Sequence, residues 1–412
     1  MKEVTANFNA QSIEREVQEY WRTNETYKTV KQHRSEGKPF FFVDGPPYTT
    51  GTIHLGTAWN KILKDSLLRY QRMNGRNVID RAGYDMHGLP IEVKVEQELG
   101  FKSKKDIEKF GIQPFIDKCR EFAIGNKLLM DDQFASLGVW LDFKNAYQTV
   151  KPEYIEAAWW TLARAQEKGM LERGHRVVNW CPRCETAIAD AEVEYWDEKD
   201  PSIFVKFPLT GKQDEYLVIW TTTPWTLPAN VAVAVAEDVE YARVSASKDG
   251  RVEYFWIAEP LVKTVLKKGR YQDFTILEKK KGSDMRDWKY ESPLHEHVPL
   301  QRDIDHKVVI ADFVTLENTG IVHIAPGHGW DDYVLGTKEG LPIVCPVDGA
   351  GRFRAEAGIF AGQYVKDADE HVLTALGDHL LAKEMVVHRY GHCWRCKTPI
   401  IFRATSQWFL KA

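Results

Sequence analysis

The 412-residue chain carries 55 Lys and Arg against 59 Asp and Glu, a formal net charge of −4. That balance excludes an overall polyanion-binding signature, although a local basic groove would be hidden in the sum. The length allows two or three domains with a substantial core, and the 14 Trp point to large packed interfaces. No apolar run reaches the length of a membrane span and no signal-peptide pattern opens the chain, so a cytoplasmic protein with no membrane partner is expected.

Residues 1 to about 37 predict helix, because Ile13, Val17, Tyr20 and Trp21 fall on one helical stripe that would pack on the core. The next stretch, Lys38 to Asp65, is the one around which the chain is organised. Phe40 to Val43 predict a short buried strand, stopped by Asp44, Gly45, Pro46 and Pro47. After a polar turn at Gly51, His54, Leu55, Gly56 and Thr57 open an amphipathic helix. Its buried face is expected to be Trp59, Ile62, Leu63 and Leu67, with Gly75 as the stop. A strand that feeds a helix through a glycine turn aims backbone N–H groups and a positive helix end at one spot, which suits a phosphate. An imidazole held there can donate to a phosphate oxygen as charge builds. The P-loop pattern is absent. The same residues also fit an ordinary strand–turn–helix with a surface histidine.

Asn77 to Arg81 predict a strand, residues 83–90 a loop, and Ile91 to Leu99 the start of a helix. Loops beyond strand ends gather around ligands in open α/β sheets, which would bring Asp85 near the His54 turn. A carboxylate there could hold an ammonium group or simply cap a turn. Residues 103 to about 175 predict mostly helix, including an amphipathic segment over Ile155–Leu171. Residues 136–142 are expected to connect helices. Cys119 reads as a small buried hydrophobe rather than a nucleophile.

Four of the six cysteines form two CxxC pairs, Cys181 with Cys184 and Cys393 with Cys396. Two such knuckles complete a Cys₄ shell for a structural Zn²⁺, and a thioredoxin-like redox use of either pair is the alternative. One ion shared by both pairs requires the chain between them to leave and return at one place, as an inserted domain does. That insert, about 198–388, shows short alternating segments at Ser202–Phe207, Glu215–Thr221, Val231–Ala236, Tyr254–Ile257, Lys307–Ala311 and Gly320–Ile324, and predicts a β-rich, barrel-like domain. Two motifs stand out inside it. Thr221, Thr222 and Thr223 present successive hydroxyls at a strand end. Residues 320–333 form a strand and a Pro-Gly turn carrying His323, His328, Asp331 and Asp332. They offer donors, acceptors and a carboxylate with no obvious nucleophile, which suits directing water at a polar ester. Taken singly, each also fits a turn with solvated polar residues.

The run DGPPYTTGTIHLGT resembles the His-Ile-Gly-His signature of class I aminoacyl-tRNA synthetases, with the Asp-Gly-Pro-Pro-Tyr lead-in of the isoleucyl form. His54 matches the first motif histidine. Thr57 stands where the family has the second, and keeps a hydrogen bond but no positive charge. Gly83 to Glu92 resembles the isoleucyl Gly-Trp-Asp-x-His-Gly-Leu-Pro-Ile-Glu signature, with Tyr84 in place of tryptophan. The two insert motifs resemble the editing domain of isoleucyl, valyl and leucyl enzymes, in the isoleucyl Thr-Thr-Thr-Pro-Trp-Thr form.

The resemblance runs through essentially the whole chain in family order, and it implies roles. His54, Gly56 and Thr57 would serve ATP binding, with His54 and Thr57 catalytic. Asp85 would bind the substrate ammonium and Pro46 would line the side-chain pocket. Thr221, Thr222, Thr223, His323 and Asp332 would form a hydrolytic editing site. It also implies an architecture. A helical extension (1–37) would precede the first half of a Rossmann-type α/β catalytic domain with the first zinc knuckle (38–197). The inserted editing domain (198–388) would come next, then the second knuckle and return to the core (389–412). The second catalytic half, the Lys-Met-Ser-Lys-Ser loop and the anticodon-binding helices would lie downstream. The implied activity is that of an isoleucine–tRNA ligase that removes misattached valine, a monomer with isoleucine, tRNA and ATP with Mg²⁺ as substrates. The alternatives are a stand-alone editing hydrolase of mischarged tRNA and a non-catalytic, zinc-containing tRNA-binding module.

Overall fold

The structure, a computed structural model, describes residues 9–411. The chain divides into two units, Met1–Met170 and Leu171–Ala412. Residues 1–8 of the expected N-terminal helix lie outside the described residues.

The first unit contains α1 (Ala10–Thr23), α2 (Thr26–His33), β1 (Pro39–Phe41), α3 (Leu55–Met73), β2 (Asn77–Ile79), β3 (Arg81–Tyr84), α4 (Leu89–Glu98), α5 (Lys104–Phe110), α6 (Ile112–Ser136), β4 (Asp142–Gln148) and α7 (Pro152–Glu167). Strands β1 and β2 pair in parallel, as do β3 and β4, with helices as crossovers. This is the α/β pattern expected of the segment. Its core gathers Leu68, Val78, Tyr84, Ile91, Phe115, Met130 and Phe134. Residues 142–148, within the stretch 103–175 expected to be mostly helix, form a strand.

The burial of two elements departs from expectation. In β1 and its continuation Phe40 and Phe42 turn inward, while Phe41 and Val43 are exposed, because a pleated strand sends alternate side chains to opposite faces. In α3 the expected core face, Trp59, Ile62, Leu63 and Leu67, is exposed. The buried face is Lys61, Asp65, Leu68 and Arg72. Those charges are tolerated because each has a partner. Lys61 bonds Asp44, Arg72 bonds Asp80, and Asp65 takes Arg69 at 2.6 Å. The stripe on α1 is likewise exposed at Ile13, Val17 and Tyr20, and only Trp21 packs inward, edge-on to Trp140 at 5.0 Å.

The second unit contains β5 (Leu171–Cys181), β6 (Thr186–Ile188), β7 (Val193–Pro208), β8 (Glu215–Thr221), β9 (Ala232–Val235), β10 (Glu240–Lys248), β11 (Arg251–Ala258), α8 (Val262–Lys268), β12 (Phe274–Lys281), β13 (Lys307–Ile310), β14 (Ile321–Ile324), α9 (Trp330–Glu339), α10 (Asp369–Leu376), β15 (Leu380–Cys393) and β16 (Ile401–Leu410). These strands form open sheets rather than one closed ring: β12-β10-β11-β8-β7-β15, β13-β9-β14 and β16-β5-β6. Strands β7 and β15 run antiparallel from Leu380 opposite Val205 to Cys393 opposite Val193, with Glu198 opposite His388. The chain between residues 198 and 388 therefore departs and returns along one ribbon. Strand β8 and the cores of β9, β11, β13 and β14 lie where periodicity predicts them. Periodicity does not predict strands β10 and β12, since small and charged residues (Ala242, Ser245, Lys279 to Lys281) blur their alternation.

Candidate functional site

In the first unit the segment after β1 runs beside the end of β3. Asp85 N–H donates to the Pro47 carbonyl at 2.9 Å and Thr49 N–H donates to the Asp85 carbonyl at 3.1 Å. This parallel bridge at Tyr48 brings the Pro46 segment and Asp85 together. Behind it, buried Asp44 accepts from Lys61, from Lys64 Nζ at 2.8 Å and from Gly83 N–H at 3.0 Å. Position 83 must be glycine, because an added Cβ would lie 2.1 Å from the Tyr147 ring, whose hydroxyl reaches the Asp44 carbonyl. The Asp85 carboxylate is half-buried and accepts from Thr149 Oγ1 at 3.3 Å, leaving it room for a second donor.

His54 is the N-cap of α3 and is exposed. Its Nδ1 accepts from Thr57 N–H at 3.3 Å, and its Nε2 lies 3.1 Å from Thr57 Oγ1. Gly56 permits this turn, since a Cβ there would stand 3.1 Å from the His54 ring. His54, Gly56 and Thr57 thus form one cluster at the positive end of a 19-residue helix. Thr57 braces the imidazole.

The second candidate centre lies within the second unit. Thr221 ends β8, and its Oγ1 accepts from Thr223 N–H at 3.1 Å and lies 3.2 Å from Thr223 Oγ1. Thr222 and Thr223 are half-buried. Thr226 links these residues to β14. Its hydroxyl donates to the Thr223 carbonyl at 2.8 Å and lies 3.0 Å from His323 Nε2. Because the Thr226 proton is committed to that carbonyl, the pattern assigns the His323 proton to Nε2 and leaves Nδ1 a bare acceptor. His323 Nδ1 is buried with no protein partner. Burial pushes this imidazole down to about 4, so it is neutral at pH 7.

Asp332, in the first turn of α9, accepts from Ala325 N–H at 2.8 Å and so fixes the chain two residues beyond His323. Burial pushes its carboxyl up to about 6, against the pull of that N–H. Asp331 is exposed. Sequence reading missed Thr226 as a site residue, although it sits three positions after Thr223. It also missed Asp369, which accepts from Trp225 N–H at 3.0 Å and whose carboxyl burial raises to about 7. No local pattern marks Asp369, which arrives from α10.

The four sulfurs of Cys181, Cys184, Cys393 and Cys396 all lie within 4.8 Å of one another, with Cys181 Sγ 3.4 Å from Cys396 Sγ. A tetrahedral Zn²⁺ with Zn–S of about 2.3 Å sets its sulfurs roughly 3.8 Å apart, so the donor set fits that ion. Cys184 N–H donates to Cys181 Sγ at 3.3 Å. Glu185 and Lys397, each directly after a second cysteine, take left-handed backbone with φ of 51° and 62°, which turns each knuckle back on itself.

A braced histidine at a helix start, a Pro47–Thr49 segment bridged to Asp85, the β7–β15 ribbon and a four-sulfur knuckle are the features by which the chain can be compared with known classes of protein. Residues 16–412 match the family described as tRNA synthetases class I (I, L, M and V), and the chain belongs to that family. More particularly, it is 77% identical over 412 residues to the isoleucine–tRNA ligase of Methanoregula boonei, covering 100% of this chain and 38% of that protein. It is 66% identical to that of Methanoculleus marisnigri (100% and 39%) and 58% identical to that of Archaeoglobus fulgidus (98% and 40%). The chain therefore spans about two fifths of the length of these curated relatives. A solved LeuRS–tRNA–LeuAMS complex from Agrobacterium radiobacter K84 aligns with a TM-score of 0.38 and 16% identity, over 98% of this chain and 52% of that one.

Proposed function

We propose that this chain is part of an isoleucine–tRNA ligase. It would contribute the amino-acid and ATP-handling first half of the activation site, together with a hydrolytic site that clears misattached valine. The observation that carries the reading is the backbone pairing of Asp85 with the Pro47–Thr49 segment, which supports one site for two motifs far apart in sequence. No protein nucleophile is required. The isoleucine carboxylate attacks the α-phosphate of ATP, pyrophosphate leaves, and the adenylate then passes its acyl group to tRNA. In this scheme Asp85 holds the substrate ammonium and Pro46 bounds the side-chain pocket. His54, braced by Thr57 over Gly56, donates to phosphate. Mg²⁺ accompanies ATP as substrate.

The exposed apolar faces of α3 and of α7, which buries no residue, support a first unit completed by further polypeptide of the kind its longer relatives carry. The domain limits 38–197, 198–388 and 389–412, with the insert mounted on the β7–β15 ribbon, belong to the same reading.

Hydrolysis is required because one methylene separates valine from isoleucine. That is worth only about 1–3 kcal/mol, and this pair is the standard illustration of the limit. In the proposed editing step His323 Nδ1 accepts from the attacking water, Thr226 holds the ring, Asp332 takes the ammonium of the valyl ester, and Thr221 to Thr223 meet the terminal nucleoside. A structural Zn²⁺ on the four cysteines pins the base of the insert and takes no part in either reaction.

The test is isoleucine-dependent ATP–pyrophosphate exchange by the protein at its relatives' full length. Asp85→Ala should lower exchange by at least about a hundredfold. Unchanged exchange would remove the assignment. A second reading, a self-sufficient hydrolase of mischarged tRNA, is favoured by one observation: the Thr223–Thr226–His323 cluster lies wholly in the second unit. Deacylation of valyl-tRNA by the present chain, without exchange activity, would select it.

A further inference from the structure

Asp369 is the first residue of α10 and is 7% exposed, and none of the proposed steps uses it. Its Oδ1 accepts from Trp225 N–H at 3.0 Å, across 144 positions of sequence. An acid in the first turn of a helix favours that helix without being buried, and the neighbouring Glu370 is there in an exposed position. The burial of Asp369 therefore answers to what it touches.

That contact is the start of a 3₁₀ turn, Pro224–Ala229, whose residues are all buried. Pro224 has no N–H, so the Trp225 N–H is the first donor of the turn, and a donor at a helix start has no partner within the helix. Asp369 supplies the partner. The packing agrees, since Trp225 and Leu227 share one core with Val372 and Leu376 of α10.

One peptide bond further along, Thr226 N–H donates to the Thr223 carbonyl at 3.0 Å, and the Thr226 hydroxyl reaches the same carbonyl at 2.8 Å. That hydroxyl also lies 3.0 Å from His323 Nε2. A continuous path thus runs from Asp369 through the Trp225 amide and Thr226 to the ring whose Nδ1 is buried with no protein partner. Burial raises the Asp369 carboxyl to about 7 against the pull of Lys366, but either protonation state keeps an oxygen that accepts from an amide. The grip on the turn therefore does not depend on which form is present.

We propose that Asp369 is a positioning residue for the hydrolytic site: by holding the Trp225 amide it fixes the 223–226 turn and, through Thr226, the direction in which His323 Nδ1 faces the attacking water. The role rests on the hydrolytic reading of these residues and adds to it a group from α10 that touches neither water nor ester. Such a support acts on rate, since a displacement of about 1 Å costs up to about a hundredfold. Asp369→Leu removes the acceptor at similar size, whereas Asp369→Asn keeps an oxygen for the amide.

The experiment compares both variants with wild type, at the relatives' full length, in valyl-tRNA deacylation and in amide hydrogen exchange. Asp369→Leu should lower kcat for deacylation at least about tenfold with KM within about twofold, while Asp369→Asn stays within about threefold of wild type. The amides of residues 225–230 should exchange at least about tenfold faster in Asp369→Leu and at the wild-type rate in Asp369→Asn. Amides elsewhere in the second unit should be unchanged, which shows that the variants fold. Should Asp369→Leu not fold, Asp369→Ala removes the same acceptor and takes its place. Wild-type deacylation by Asp369→Leu, a loss confined to KM, or an Asp369→Asn as slow as Asp369→Leu each overturns the proposal. Asp332→Ala checks the hydrolytic reading separately. If it deacylates as fast as wild type, that reading falls and takes the role of Asp369 in hydrolysis with it. Unchanged amide exchange in Asp369→Leu overturns the grip on the turn whichever way that check goes.

Discussion

Cys181 and Cys396 are 215 positions apart in sequence, yet their sulfurs lie 3.4 Å from one another. Each belongs to a CxxC turn, and the ribbon of β7 and β15 carries the chain away from one turn and back to the other. A segment that leaves and returns this way depends on the neck that holds its two ends.

The first prediction concerns that neck. Zinc should copurify at one ion per chain. Chelation or Cys396→Ser should lower the unfolding temperature of the protein by several degrees, because structural zinc in small Cys-rich sites contributes on the order of 10 kcal/mol. Elemental analysis with a thermal melt tests this. A metal-free protein whose melting temperature is the same with and without zinc would contradict it.

Asp332 combines a proposed ligand role with an energetic cost. Its carboxyl is raised from 3.8 to about 6, so the native state binds the proton more tightly than the unfolded chain does. Stability therefore falls as pH rises from about 4 to about 6, and above pH 6 the buried charge costs about 2–3 kcal/mol. Asp332→Asn should be more stable than wild type at pH 7 by up to that amount, with the difference vanishing near pH 4, while valyl-tRNA deacylation drops by about a hundredfold or more. Urea titrations at two pH values, with a deacylation assay, supply both readouts. Equal stability of the two proteins at pH 7 would count against a buried, ionised Asp332.

His323 and His306 act with the opposite sign. Burial lowers both from 6.5 to about 4, so below pH 6.5 the unfolded chain takes up protons that the native chain refuses. Their contribution is intact above pH 6.5 and is lost as pH falls towards 4, by about 3 kcal/mol for each ring. His306→Gln should flatten the decline of the urea midpoint over that window by about half. An unchanged slope would show that His306 is charged in the native state.

The buried face of α3 yields an ordering. Asp44 holds Lys61, Lys64 and Gly83 N–H, so Asp44→Ala strands a buried ammonium and should cost about 3–5 kcal/mol. Lys61→Met leaves Asp44 with Lys64 and a backbone donor and should cost about 1–3 kcal/mol. Denaturant unfolding of the two variants decides the order, and a costlier Lys61→Met would invert the account.

Much of the candidate site's local geometry was legible in the sequence, where neighbours along the chain set it. His54, Gly56 and Thr57 share one helix start. Thr221 to Thr223 share one strand end, and each CxxC makes its own knuckle. Periodicity located β8, β9 and β14 because apolar residues there recur at the strand spacing. The same rule failed on α3. Apolar spacing pointed to Trp59, Ile62, Leu63 and Leu67, but the face that turns inward carries Lys61, Asp65 and Arg72. Periodicity counts side-chain polarity, and it is blind to carboxylates such as Asp44 and Asp80 that arrive from other elements to neutralise a buried charge.

By itself, then, the order of residues determined the family, the motifs and the two CxxC turns, since each depends on neighbours along the chain. Only the tertiary structure decided that Thr226 braces His323 and that Asp369 accepts from Trp225 N–H. These are contacts between segments tens of residues apart. Burial, the force that sets the protonation of His323 and Asp332, does not exist until those segments close over them.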